Sequence, residues 1–257
     1  MATLVLPISA ITAGAEEKMQ TVASRFHSET SFKGKASGKV VFGDDVPLYK
    51  TYPRAPIVKL PKPDPGGMTV KKAIGARRSV RAFASKPITL KILSQLCLSA
   101  NGLTHSLRSR TMRAAPSAGA MYPIELYAYV QNVTGLDKGF YHFRPKDSSL
   151  ERVTAEDIGP AIHEASLEQE SIGVSPLILI LTARFDRSTS KYADRGYRYV
   201  YIDAGAMCEN IYLQATSLGL GTVAAGAFND DAVNKVVGVD GKSEAVLLIM
   251  PVGYPGD

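Results

Sequence analysis

The sequence predicts a mixed fold of helices and strands, α+β or α/β, carried by residues 68–257 behind an extended arm of residues 1–67. Three observations predict it. Pro176–Thr182 (PLILILT) is a near-continuous apolar run, as expected of a central strand buried on both faces. Arg195–Leu218 carries Val200, Ala204, Met207, Ile211, Ala215 and Leu218 at spacings of three and four, the stripe of a long amphipathic helix. Between and around them, helical and strand patterns alternate after an initial run of helix and hairpin. No internal repeat is visible.

The elements follow in order. Six of the fifteen prolines lie between Pro47 and Pro65. Proline fixes φ and removes a donor, so this stretch is read as extended and irregular. Met68–Ala76 is a short helical pattern. Thr89 is a candidate N-cap for a helix over Leu90–Ala100, where Ile92, Leu93, Leu96, Cys97 and Ala100 recur at helical spacing. Ile124–Val130 alternates apolar and polar residues, which predicts a strand with one buried face. Gly139–Arg144 and Ser149–Val153 bracket Pro145-Lys146-Asp147 and read as a hairpin. Asp157–Glu170 reads as helix, Thr222–Phe228 as strand, Asp230–Val237 as helix and Ala245–Val252 as strand. Gly219 is a candidate stop for the long helix.

Composition narrows the function classes. Hydrophobic residues make up 45% and charged residues 21% of the chain, so it can bury a substantial core. The net charge of +6 suits an anionic small ligand. The basic residues are scattered, and no nucleic-acid-binding signature accompanies them, so no nucleic-acid partner is expected. Cys97 and Cys208 fall inside helical patterns as small core residues, and the four histidines share no metal-ligand spacing. Neither a disulfide framework nor a metal site is expected. No apolar run reaches the ~20 residues of a membrane span. Met1–Ala15 is apolar and ends in small residues but lacks a basic head. It reads either as a hydrophobic arm, the preferred reading with a cytoplasmic protein, or as the remainder of an export signal.

Four segments carry candidate chemistry. Arg77-Arg78-Ser79-Val80-Arg81 sets three guanidinium groups and a hydroxyl within five residues, a match to phosphate oxygens or else a solvated basic turn. Pro116-Ser117-Ala118-Gly119, between Arg113 and Tyr122-Pro123, is a loop of small residues that a flat ring could approach closely. Leu218–Phe228 contains Gly219, Gly221 and Gly226, but not in dinucleotide-fingerprint spacing. Lys191-Tyr192 precedes Arg195 and Arg198. A phenol beside an ammonium ionises more readily and can serve as a proton donor or acceptor. Asp194 is the plain alternative there, a helix N-cap. No nucleophile elbow, Walker loop or HExxH motif is present, which favours cofactor chemistry over protein nucleophiles.

In their order, RRSVRAF, PSAGAMYPIELY, GFYHFRP, KYADRGYRYVYIDAG and LGLGTVAAGAF resemble the FMN-dependent nitroreductase superfamily, and within it the SagB-type dehydrogenases, which include azoline oxidases of thiazole/oxazole peptide pathways. The likeness spans roughly residues 68–254. It implies an α+β fold with a central, mostly antiparallel sheet flanked by helices, in an intertwined homodimer with FMN at the interface. By position, Arg77, Arg78, Ser79 and Arg81 would take the FMN phosphate and ribityl chain. Pro116, Ser117, Ala118 and Gly119 would lie against the ring from across the interface. Ala224, Ala225 and Gly226 would turn backbone donors toward its reactive edge. Lys191 and Tyr192 would be catalytic. The resemblance implies hydride transfer through flavin on a small-molecule or peptide-derived substrate. Alternatives are an NAD(P)H-dependent nitro or quinone reductase and a non-catalytic flavin-binding subunit. One departure is clear: no basic residue follows Gly253-Tyr254 in this sequence, so phosphate binding would rest more heavily on Arg77, Arg78 and Arg81.

Overall fold

Leu177–Arg184 forms the middle of the sheet, and its side chains show why. Leu177, Leu179 and Leu181 enter one core while Ile178 and Ile180 enter another. Side chains alternate with a period of two, so a strand apolar at every position must be covered on both sides. The computed structural model describes residues 21–31, 46–64, 66–107 and 110–256. The chain divides into two units, residues 1–41 and 42–257. In the first, helix α1 (Val22–Glu29) is capped by Thr21, whose hydroxyl accepts from the N–H of Ser24. The apolar stretch Met1–Ala15 lies outside the described residues.

In the second unit, helix α2 (Val70–Ala76) follows strand β1 (Ile57–Lys59). Then come β2 (Ile88–Thr89), α3 (Leu90–Asn101), β3 (Leu103–Leu107), β4 (Arg110–Arg113), β5 (Ile124–Val130), β6 (Val133–Thr134), β7 (Gly139–Arg144) and β8 (Ser149–Thr154). Helices α4 (Gly159–Ala165) and α5 (Glu170–Val174) lead to β9 (Leu177–Arg184). Helix α6 (Phe185–Tyr192), the long α7 (Arg195–Ser217), β10 (Gly221–Thr222), α8 (Asp230–Val237) and β11 (Glu244–Gly253) complete it. Among the described residues, seven strands form one sheet in the order β1-β8-β7-β5-β9-β11-β10. Every pairing in it is antiparallel. Helices α3 and α7 cover one face through Leu93, Leu96, Val200, Met207 and Ile211. Helices α4, α5 and α8 cover the other through Ile162, Ile172, Val233 and Val237. This is the α+β architecture the resemblance implies.

Local signals account for the element ends. Thr89 caps α3 by accepting from Ile92 N–H. Gly219, at φ 71°, stops α7 just past Leu218, where a side chain would be strained. Three expectations need correction. Strand β5 is buried along its whole length rather than on one face, because Tyr127 and Tyr129 enter the second core. The helix read over Asp157–Glu170 is broken at Leu167 and Glu168, both at positive φ, leaving two short helices. The strand read over Thr222–Phe228 ends at Thr222, and only Ala225 bridges onward, to Ile249.

A polar stripe crosses the second face. His142 on β7 lies 3.1 Å from Glu125 on β5 and 2.9 Å from Glu151 on β8, and all three are buried. Arg187 of α6, fully buried, reaches Glu125 at 2.6 Å. Burial alone would hold Glu125 protonated. The hydrogen bond from His142 and the charge of Arg187 outweigh it and take Glu125 down to about 2. Burial opposes a charged His142, but the two carboxylates win and raise its pKa. Further along, Glu244 accepts from Tyr127 and Thr182 and pairs with Lys50 at 2.7 Å.

Candidate functional site

The basic segment is held by backbone, and two of its three arginines are left to the surface. Helix α2 ends at Arg77. Beyond it, Val80 N–H donates to Thr222 O at 2.9 Å, Ala84 N–H to Tyr254 O, and Gly256 N–H to Ala82 O. Residues 79–84 are thus stitched between β10 and the strand end of β11. Gly221 permits this: a Cβ there would stand 2.5 Å from that of Val80. Arg78 and Arg81 are exposed and Arg77 is half-buried. Arg78 turns back to donate to Gly75 O and Arg77 O. None of the three guanidinium groups pairs with a carboxylate among the described residues. Three cations within five residues, none neutralised by a described carboxylate, favour an anion.

Tyr212 of α7 joins this segment to the glycine-rich one. Its hydroxyl lies 3.3 Å from Ser79 Oγ and accepts from Ala224 N–H at 2.8 Å, and its ring carries the Arg77 guanidinium 5.1 Å from the centroid. The three backbone donors expected at residues 224–226 are therefore not equivalent. Ala224 N–H is taken by Tyr212, and Ala225 N–H donates to Ile249 O at 2.8 Å. The N–H of Gly226 has no such bond among the described residues, and Gly226 is exposed. Beside them, the hydroxyl of Thr222 is buried with no partner among the described residues.

The second assembly is built around Asp203 of α7. Its carboxylate accepts from Ser117 Oγ at 2.6 Å and from Ala118 N–H at 3.3 Å, and Ser117 Oγ accepts from Tyr122 N–H at 2.8 Å. Burial raises the pKa of Asp203 against the pull of those two donors. The loop needs this bracing, since Ala120 and Tyr122 sit at φ 56° and 47°. Each such residue costs roughly 1–2 kcal/mol, and strain of this kind gathers at functional sites. Gly119 faces the end of α6. A Cβ at Gly119 would collide with the Tyr192 hydroxyl and stand 2.5 Å from Lys191 Nζ. The Lys191-Tyr192 pair and the small-residue loop, about seventy residues apart in sequence, therefore meet. Lys191 Nζ lies 5.3 Å from the Tyr192 ring centre, and Tyr192 packs edge-on against Tyr199, which accepts from Arg195 Nε at 2.9 Å. Asp194 holds the N-cap position of α7 without a side-chain cap bond.

Within one chain the two assemblies are set apart along α7. Asp203 and Tyr212 are nine residues apart on one helix, about 14 Å along its axis and half a turn round it. Sequence reading missed both residues. Asp203 could have been found as a carboxylate on the apolar stripe beside Val200 and Ala204. Tyr212 leaves no such trace, because a tyrosine beside Ile211 reads as core.

A single antiparallel sheet covered by helices on both faces defines an α+β protein. More particularly, the chain belongs to the nitroreductase family, which residues 74–254 match. It is 40% identical over 191 residues to MJ1384 of Methanocaldococcus jannaschii, named as a nitroreductase, a match covering 74% of this chain and 93% of that one. It is 29% identical over 150 residues to the microcin B17-processing protein McbC of Escherichia coli, covering 56% of this chain and 55% of McbC. That likeness supports the SagB-like branch. The crystal structure of a protein from Anabaena variabilis, also named as a nitroreductase, has a TM-score of 0.74 at 25% identity. It covers 91% of this chain and 47% of that one. This chain thus spans about half the length of McbC and of the Anabaena protein. No described helix is long and apolar enough to cross a membrane.

Proposed function

We propose that the chain is an FMN-dependent oxidoreductase of the SagB-type dehydrogenase kind, with residues 68–257 as the flavin-binding domain and the site completed by a second copy. The observation that carries this reading is the cation loop. Among the described residues Arg77, Arg78 and Arg81 have no carboxylate partner, and Tyr212 links their segment to a strip whose Gly226 N–H makes no backbone hydrogen bond there. The donor set fits FMN: guanidinium groups and Ser79 for a phosphate, and one backbone donor for a ring edge. The 116–119 loop then supplies the opposite wall from the other protomer. Exposed Tyr201 and Ile202 on α7, and Gly205, which has nothing within 4 Å of where its Cβ would lie, suit a close approach of that second copy.

FMN bound there would supply the hydride-accepting ring. This chain's residues would orient it, and the Tyr192 hydroxyl, beside Lys191, would hold or move the proton on the substrate. A peptide-derived substrate is favoured by the likeness to McbC. Titration with FMN and with riboflavin tests the reading. The expected result is a yellow complex with FMN and much weaker binding of riboflavin, which lacks the phosphate. Equal affinity for both would remove the cation loop from the account. Tyr192→Phe should slow substrate oxidation and leave FMN bound.

The likeness to MJ1384 favours a second reading, an NAD(P)H-dependent reductase. Rapid bleaching of the flavin by NADPH in stopped flow would select it over the dehydrogenase.

A further inference from the structure

We propose that Pro47–Tyr52 is an internal strap that holds the 116–122 loop and the Lys191-Tyr192 end of α6 in position through two buried arginines, Arg187 and Arg113. Its catalytic consequence rests on the proposed function; the mechanical coupling does not.

Arg187 is fully buried, and a buried guanidinium is tolerated only when its donors are satisfied. Its three arms go to three places. Nε donates to Pro47 O at 2.8 Å, Nη1 to Tyr122 O at 2.8 Å, and Nη2 to Glu125 at 2.6 Å. One side chain therefore ties the strap to the end of the small-residue loop. It stands four and five residues before Lys191 and Tyr192 on the same helix.

Arg113 repeats the arrangement from the other side. Its Nη2 donates to Leu48 O at 2.8 Å and its Nη1 to Asn101 Oδ1 at 3.3 Å. Its guanidinium lies between the rings of Tyr49, 5.0 Å away, and Tyr122, 4.6 Å away. Its N–H donates to the Tyr122 hydroxyl at 3.1 Å. Tyr122, a residue at positive φ, is thus gripped at its carbonyl, its ring and its hydroxyl by the two arginines that also grip the strap. Beyond them the strap is pinned by Lys50 on Glu244 and by Tyr52, whose N–H donates to Glu151 at 3.0 Å and whose hydroxyl meets that of Tyr127 at 3.0 Å. Lifting the strap would leave a donor of each arginine unpaired in the interior. The two segments must therefore be ordered together.

The test loosens the strap at half-buried positions and leaves the arginines in place. Tyr49→Ala/Lys50→Ala is compared with the conservative Tyr49→Phe/Lys50→Arg, and amide hydrogen exchange is followed at 118–122 and at 233–237 in α8. The expected result is roughly tenfold faster exchange at 118–122 in the first variant, none at 233–237, and wild-type rates in the second. In the flavin-loaded protein, FMN release should accelerate in step. Unchanged exchange at 118–122 while 47–52 opens would overturn the proposal, as would an equal rise at both sites. The exchange measurement needs no flavin. A chain that binds none would sink the proposed function and still decide the strap.

Discussion

The 77–81 segment and the 116–122 loop are both short and polar, yet they are held in opposite ways. The first is fixed through its backbone, with Arg78 and Arg81 exposed and no carboxylate paired to any of its arginines among the described residues. The second is fixed through side chains, by Asp203 from beneath and by Arg187 and Arg113 from behind, and its backbone is strained. The difference suits the contact proposed for each. A phosphate is a strong, mobile anion that long guanidinium arms can follow, so rigidity there adds little. A flat ring needs a wall already in place, because a loop that had to order on binding would subtract its entropy from the affinity.

That contrast can be broken at several points. The largest effect is expected from Arg77→Ala/Arg78→Ala/Arg81→Ala. Charge-assisted hydrogen bonds contribute about 1.5–3 kcal/mol each, so FMN affinity should fall about a hundredfold or more while the unfolding midpoint in urea barely moves. Asp203→Ala should show the reverse pattern. It strands the Ser117 hydroxyl and Ala118 N–H, and urea titration should register a loss of about 1–3 kcal/mol with or without flavin. Tyr212→Phe lies between them. Removing its hydroxyl frees Ala224 N–H and Ser79, and FMN affinity should drop about fivefold with a stability loss of ~1 kcal/mol.

The smallest effect is a pH dependence confined to the braced side, since guanidinium groups keep their charge throughout. His142 has a raised pKa between Glu125 and Glu151, packed by the rings of Tyr52 and Tyr127. Its contribution is complete below about 6.5, its unfolded value, and is lost as pH rises through the folded one. Glu125 and Glu151 are lowered, so theirs is present above the ordinary carboxylate range and is lost on acidification, for Glu125 only near about 2. Thermal melting should therefore decline first on the alkaline side. His142→Gln should flatten that decline; an unchanged slope would place its origin elsewhere.

Much of this was legible in the sequence wherever one residue's environment is decided by its neighbours in the chain. The stripe of α7, the two-sided burial of β9, the hairpin around Pro145 and the cap at Thr89 are all local signals. Legibility failed where distant partners decide. Glu125 reads as a solvent-facing position in β5 until Arg187 and His142 are known to meet it. The break at Leu167 and Glu168 has no glycine or proline to announce it. The motif pieces around Arg77, Ser117 and Lys191 could each be picked out. That Gly119 abuts Lys191 and Tyr192, and that Tyr212 occupies the Ala224 donor, are facts of three-dimensional packing.

The margins of the sheet have a consequence for assembly. One outer strand, β1, is three residues long and flanked by Pro56 and Pro61; the other, β10, is two residues long and already bridged by Ser79. Neither offers a free ladder for a neighbouring molecule to extend. Neither margin of the seven-stranded sheet therefore invites a copy of this chain to add a strand, and the pairing proposed above would instead use a helix surface such as the exposed side of α7 at Tyr201 and Ile202.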